Sequence, residues 1–131
     1  MRSAQAMGLT NVEVLPLRAE EWAASDPAVD VVTARALAPL AVLVEYAAPL
    51  LREGGTLVAW KGAPDAEETA GGGEAASLVG LAPLRIDRVE PFPGADEHHL
   101  HLYSKVASTP NRYPRRPGMA RKRPLGASGR A

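Results

Sequence analysis

Charge in this chain is divided between two unequal stretches, and that division limits what the chain can fold into. No Asp or Glu follows Glu97. Residues 1–104 hold 7 Lys and Arg against 15 acids, while residues 105–131 hold 8 against none. The neutral total is therefore an average over an acidic body and a cationic tail. The tail also carries Pro110, Pro114, Pro117 and Pro124, which fix φ and remove backbone donors. Such a segment is expected to stay out of a core, extended or disordered, and to meet a polyanion, of which nucleic acid is the commonest. Residues 1–106 are accordingly read as the folded body and 107–131 as a basic tail.

At 131 residues one domain is expected. The 46% apolar fraction overstates the core, because 24 of those residues are Ala and the chain has a single Phe and two Trp. The lack of cysteine excludes disulfides, thiolate metal sites and Cys nucleophiles. No apolar run approaches the roughly 18 residues of a membrane span, and the first residues lack the apolar stretch of a secretory signal. The expectation is a soluble, cytoplasmic protein.

Pattern reading predicts alternating strands and helices. Residues 1–8 read as the end of a helix stopped by Gly8. Strands are expected at 11–17 (NVEVLPL), at 30–34 (DVVTA, short and buried) and at 56–60 (TLVAW), with a polar break at 18–22. A helix opened by Pro39 carries Leu40, Leu43, Ala47 and Leu50 on one stripe. Glu53-Gly54-Gly55 reads as a turn. Residues 64–80 look helical, but Gly71-Gly72-Gly73 costs a helix about 3 kcal/mol relative to Ala and predicts a break. The last strands fall at 84–89 and 98–106, joined by a short loop and hence antiparallel. In the final strand His99, His101 and Tyr103 share one face, and Leu100, Leu102 and Ser104 the other. This order predicts an α/β fold with a parallel sheet.

In open parallel sheets ligands bind beyond the C-terminal strand ends. Three successive strands here release charge at that edge: Arg18-Ala19-Glu20-Glu21, then Arg35, then Lys61-Gly62. Strand ends also meet water in any such fold, so the pattern is a site candidate and nothing stronger. His99 and His101 could share a metal, but no third ligand is evident and no metal is expected. The glycine run has no Lys-Ser/Thr after it and is not a phosphate loop. Trp22 and Trp60 read as core or rim packing. In the tail Arg112, Arg115, Arg116, Arg121, Lys122 and Arg123 present cations between prolines, and Tyr113 can stack on a base. The alternative is a solvated terminus without a partner.

Taken together, Gly8-Leu9-Thr10-Asn11-Val12-Glu13-Val14, Arg18-Ala19-Glu20-Glu21, Thr33-Ala34-Arg35-Ala36, Lys61-Gly62 and the closing TPNRYPRRPGMARKRPL resemble the glucose-inhibited division protein B family. Its members are bacterial methyltransferases that modify N7 of one guanine in small-subunit (16S) ribosomal RNA with S-adenosylmethionine. The likeness runs from about residue 2 to residue 125. It implies the C-terminal part of a Rossmann-like class I methyltransferase sheet of order 3-2-1-4-5-7-6, in which residues 11–17 are the third strand and 30–34 the fourth. It also implies that Ala19 and Glu20 lie beside the cofactor adenine, that Arg35 lies at the cofactor and substrate pocket, and that Lys61 lies near the reaction cleft. The partner it implies is small-subunit ribosomal RNA, with no membrane and no metal, and a monomeric full-length enzyme. The chain departs from many relatives at His98-His99, where they carry a basic residue.

The strand and Gly-rich loop that cradle the cofactor in that family have no counterpart after Met1, so the resemblance implies a fragment that is inactive alone. Residues 11–17 then lack a sheet neighbour and residues 30–34 have a bare edge. The rival readings are a non-catalytic RNA- or ribosome-binding α/β module with a basic tail, and a non-functional remnant. On the fragment reading, calorimetric titration of the isolated chain with S-adenosylmethionine is expected to give no measurable binding. A micromolar dissociation constant would overturn it.

Overall fold

A computed structural model describes residues 2–35 and 38–126. In chain order it contains helix α1 (Arg2–Ala6), helix α2 (Ala19–Trp22), strand β1 (Val29–Arg35), helix α3 (Leu40–Ala47), strand β2 (Leu51–Lys61), helix α4 (Ala66–Val79), strands β3 (Leu81–Val89) and β4 (His98–Lys105), and helix α5 (Met119–Lys122). Short 3-10 turns follow α2 at Ala23–Ser25 and α3 at Ala48–Leu50. The four strands form one sheet in the order β1-β2-β4-β3. β1 and β2 are parallel, while β2–β4 and β3–β4 are antiparallel, so the sheet is mixed rather than parallel throughout. This order is the 4-5-7-6 end of the sheet that the resemblance implies.

β2 is the centre of the sheet. Leu57, Ala59 and Lys61 stand opposite Tyr103, His101 and His99 of β4, so these six share one face. That face is the buried one. Leu57, Ala59 and Tyr103 join α3 and α4 residues in a single apolar core. The opposite face carries Val58, Trp60, Leu100 and Leu102, all only half-buried. The histidine face is thus the covered one, because α3 and α4 both pack on that side.

α3 is unusual for its short length. Seven of its eight residues are buried, against the single apolar stripe expected, because α4, the sheet and the tail enclose it. Its ends are satisfied by distant side chains. The Leu40 N–H donates to Glu68 at 3.0 Å. The Lys105 ammonium donates to the carbonyls of Ala48 and Leu51 at 2.8 and 2.7 Å, closing the turn after the helix.

Several expectations are corrected. Residues 11–17 form no strand and lie exposed, because among the described residues no neighbouring strand satisfies their backbone. The break at 18–22 is instead helix α2, whose first turn is closed by Arg18 N–H donating to Glu21 at 2.9 Å. The buried strand expected at 30–34 is β1, an edge strand with Val31 55% exposed. Gly54 and Gly55 do not end an element. They lie inside β2, where the register with β1 slips between Val29 and Val31.

The triglycine does not break α4, which is continuous through it. Asp65 caps the helix by accepting from the N–H groups of Glu67 and Glu68, and Gly80 ends it at φ 87°. The reason for one glycine is steric: a Cβ on Gly72 would lie 2.6 Å from the Tyr103 hydroxyl and 2.9 Å from Leu40 Cβ. α4 therefore reaches α3 and the sheet only with glycine there. A Cβ on Gly71 would meet open space.

The tail also departs from expectation. Ala120 is buried in the core, and Tyr113 and Leu125 pack against it. The segment is not extended away from the body but folded back on α3; residues 127–131 lie outside the described residues.

These contacts predict opposite signs at adjacent positions. Gly72→Ala should destabilise by about 1–3 kcal/mol through overpacking. Gly71→Ala should stabilise by up to about 1 kcal/mol through helix propensity. Urea unfolding of the two variants checks this, and equal effects would contradict the packing argument.

Candidate active-site groove

β1 ends at Arg35, and next to it in register stands Trp60 of β2, one residue before Lys61. The two cations expected at this rim do sit at neighbouring strand ends, but they leave the sheet on opposite faces. Arg35 is among the residues that line a groove of about 730 Å³ beside β1. Glu13, Leu17, Ala19, Trp22, Tyr46 and Arg121 also line it, so the groove is a mostly apolar trough whose charged lining is Arg35, Arg121 and Glu13. Ala19 and Arg35, 16 positions apart in the chain, are brought together here, with Arg121 of the tail beside them.

Lys61 is placed elsewhere. Its ammonium pairs with Glu68 at 2.7 Å, donates to the Ala38 carbonyl at 3.1 Å and borders a separate cavity of about 710 Å³ near the start of α4. Glu68 thus ties together the start of α3 and the end of β2.

Glu20 does not border the groove. It is 8% exposed, accepts from the Gly118 N–H at 3.0 Å and lies 3.6 Å from the Arg18 guanidinium. Its carboxylate is turned into the tail. Arg115 is likewise engaged. Its backbone N–H, Nε and Nη2 all donate to the Glu45 carboxylate, at 3.0, 3.0 and 2.6 Å, and Nη2 also donates to the Arg123 carbonyl at 2.7 Å. The hydrogen bond to Glu45 pushes the Arg115 guanidinium still further up, against its partial burial. Arg112 lies over the Tyr113 ring, 5.1 Å from its centre. Arg116, Lys122 and Arg123 are exposed.

Glu45 is the buried partner that pattern reading missed. It is fully buried, the one charge between Arg35 and Arg52. A lone carboxylate inside an otherwise apolar run is the signal that could have exposed it, since a buried charge needs a partner.

The histidines sit under α4. His99 Nδ1 is 3.0 Å from the Gly62 carbonyl, and His101 is 3% exposed. Burial holds the His101 imidazole below its ordinary value. Glu68 opposes this, while His99 and Lys61 add to it. Burial, and then Glu68, push the Tyr103 hydroxyl up to about 12. Among the described residues no cluster of three or more His, Asp or Glu is arranged to hold a metal ion, and no helix is long and apolar enough to cross a membrane.

The fold is that of Rossmann-like class I S-adenosylmethionine-dependent methyltransferases. Two solved structures of M1.HpyAVI, one titled as its SAM complex, superpose with TM-scores of 0.50 and 0.51 at 12% and 13% identity. They cover 69% and 70% of this chain and 50% and 52% of theirs, a likeness of fold alone.

The sequence relationship is narrower. The family described as rRNA small subunit methyltransferase G matches residues 2–99, and the chain belongs to it. The ribosomal RNA small subunit methyltransferase G of Chloroflexus aggregans is 41% identical over 124 residues, covering 92% of this chain and 52% of the relative. That of Carboxydothermus hydrogenoformans is 40% identical over 128 residues, covering 95% and 54%. The chain spans about half the length of these relatives.

His101 makes the site's stability pH-dependent. Its folded-state pKa lies below the ordinary 6.5, so the unfolded chain binds more protons just beneath that value. Stability should therefore be complete above about pH 6.5 and fall as pH drops toward the folded value, with a slope of at most about 1.4 kcal/mol per unit. Urea midpoints of wild type and His101→Gln between about pH 7.5 and 5.5 test this; an equal slope in the variant would remove His101 as the cause.

Proposed function

We propose that this chain is the cofactor- and substrate-facing C-terminal part of an S-adenosylmethionine-dependent methyltransferase that acts on guanine N7 of small-subunit ribosomal RNA. The observation that carries the reading is the groove at the end of β1, where Ala19 and Arg35 meet, in a chain of this family. The residues present fit the methyl donor in part. The apolar trough of Leu17, Ala19 and Trp22 suits a flat heteroaromatic ring, and Arg35 suits an anionic group at its rim. Glu20, by contrast, reaches the tail and would steady the Ala19 helix rather than touch the donor.

S-adenosylmethionine, when bound, supplies an electrophilic sulfonium methyl. Guanine N7 already has an in-plane lone pair, so no side chain need remove a proton before attack. What this chain contributes is position: a trough that orients the reacting partners, walls that exclude water, and cations that meet RNA phosphate. That division of labour suits a groove whose titratable lining is Glu13, Tyr46 and two arginines. The reading places the protein in the bacterial cytoplasm, as a monomer working on ribosomal RNA.

The test is a chimera in which the N-terminal half of the Chloroflexus aggregans relative precedes residues 2–131. It should methylate small-subunit RNA, with the product recognised by strand scission at N7-methylguanosine. Arg35→Ala in the same chimera should lower kcat/KM by at least about tenfold, or 1.4 kcal/mol of transition-state stabilisation. A folded chimera that binds RNA but transfers no methyl would favour the non-catalytic binding module instead.

A further inference from the structure

We propose that Lys61 and Glu68 are positioning residues: their ion pair clamps the Ala38–Leu40 backbone beside the groove, and Lys61 does not itself touch RNA. The inference rests on the methyltransferase reading and gives Lys61 a different task from that of a rim cation.

The pair meets the backbone on both sides of Pro39. The Lys61 ammonium donates to the Ala38 carbonyl at 3.1 Å and lies 2.7 Å from the Glu68 carboxylate. The same Glu68 oxygen accepts the Leu40 N–H at 3.0 Å. Leu40 opens α3, so its N–H is one of the donors that a helix start leaves without an internal partner. Pro39 before it offers no side-chain cap. Glu68, 28 positions away, supplies the acceptor instead. Ala38, held from one side by Lys61, lines the same groove as Arg35.

The clamp is built before any ligand arrives. The link between β2 and α4 is fixed at both ends, by His99 Nδ1 at 3.0 Å from the Gly62 carbonyl and by Asp65 accepting from the Glu67 and Glu68 N–H groups at 2.9 and 3.0 Å. The Lys61 and Glu68 side chains are 17% and 26% exposed, so water and salt screen the pair only in part. Phosphate is disfavoured there. The cavity beside Lys61 is lined by Asp65, Glu67, Glu68 and Glu74, and Lys61 is the one cation among its described lining residues. Four carboxylates around an engaged ammonium repel a polyanion. The pair therefore acts on the reaction through the backbone it grips.

The experiment uses the chimera described above, carrying Lys61→Met, Glu68→Ala or both. In each single variant kcat/KM for the methyl donor should fall at least about fivefold, because a groove wall is displaced. The double variant should be no worse than the poorer single one, since both changes break one unit. Glu68→Gln, which keeps an acceptor of equal reach for the Leu40 N–H, should recover part of the loss. RNA affinity and its log–log salt slope, read by anisotropy over a range of KCl, should be unchanged in Lys61→Met. A phosphate contact would instead make that slope shallower by about 0.7–1, and Glu68→Ala would then tighten RNA binding.

Amide exchange in the same samples separates loss of the clamp from unfolding. The Leu40 amide should exchange at least about tenfold faster in Lys61→Met and Glu68→Ala, while β4 amides keep their protection. A shallower slope in Lys61→Met, multiplied losses in the double variant, unchanged donor kinetics in either single variant, or a Leu40 amide equally fast in the parent chimera would each overturn the proposal. A parent chimera that transfers no methyl refutes the proposed function, and the clamp's task falls with it. An active parent whose variants behave as it does refutes the clamp alone.

Discussion

Helix α3 is too apolar to face water on any side, and the surrounding structure follows from covering it. Its floor is the β2–β4 surface, through Leu57 and Tyr103. One flank is α4, brought close by Gly72. The tail covers a further side, through the Glu45–Arg115 pair. Its two ends are closed by Glu68 and Lys105, reaching from α4 and β4. Burial of apolar area drives this arrangement, but the polar groups set its geometry. A buried carboxylate without its arginine would cost about 3–5 kcal/mol, which makes the path of the tail a condition of the helix being buried at all.

The same requirement accounts for the two-sided character of the sheet. The face under α3 and α4 carries two histidines, a tyrosine and two lysines and is nevertheless the buried one, because each has a neighbour suited to it. Lys105 finds two carbonyls, His99 finds the Gly62 carbonyl, and among the described residues no buried side-chain polar atom lacks a hydrogen-bond partner. The opposite face bears leucines and valines at half burial, and among the described residues one edge of β1 has no partner strand. An open edge beside an apolar trough is where further chain or ligand can be received. It is also where Arg35 and Arg121 stand.

How legible the chemistry was depended on what each residue contacts. Ala19 and Arg35, expected at one rim, both line the groove, although Ala19 stands in a helix and not at a strand end. Lys61 shares the rim but does not line the groove; its ammonium is held by Glu68 near the start of α4. Glu20 was assigned through the family resemblance and Arg115 as one of the tail cations, yet each is occupied by a partner 98 or 70 positions away. Spacing along the chain carries no record of such pairs. The triglycine misled for a related reason: helix propensity counts the local cost of Gly72 and not the contact with Leu40 and Tyr103 that requires it.

The amino-acid sequence alone determined the alternation of strands and helices, the antiparallel return of the last two strands, and the separation of acidic body from basic tail. These follow from periodicity, turn chemistry and composition, which act over a few residues at a time. Only the tertiary structure decided that residues 11–17 are not a strand, that the tail folds back on α3, and which residues line the groove. Each of those outcomes turns on whether a distant group is present to accept a hydrogen bond or a charge, and that partner exists only once the chain has closed on itself.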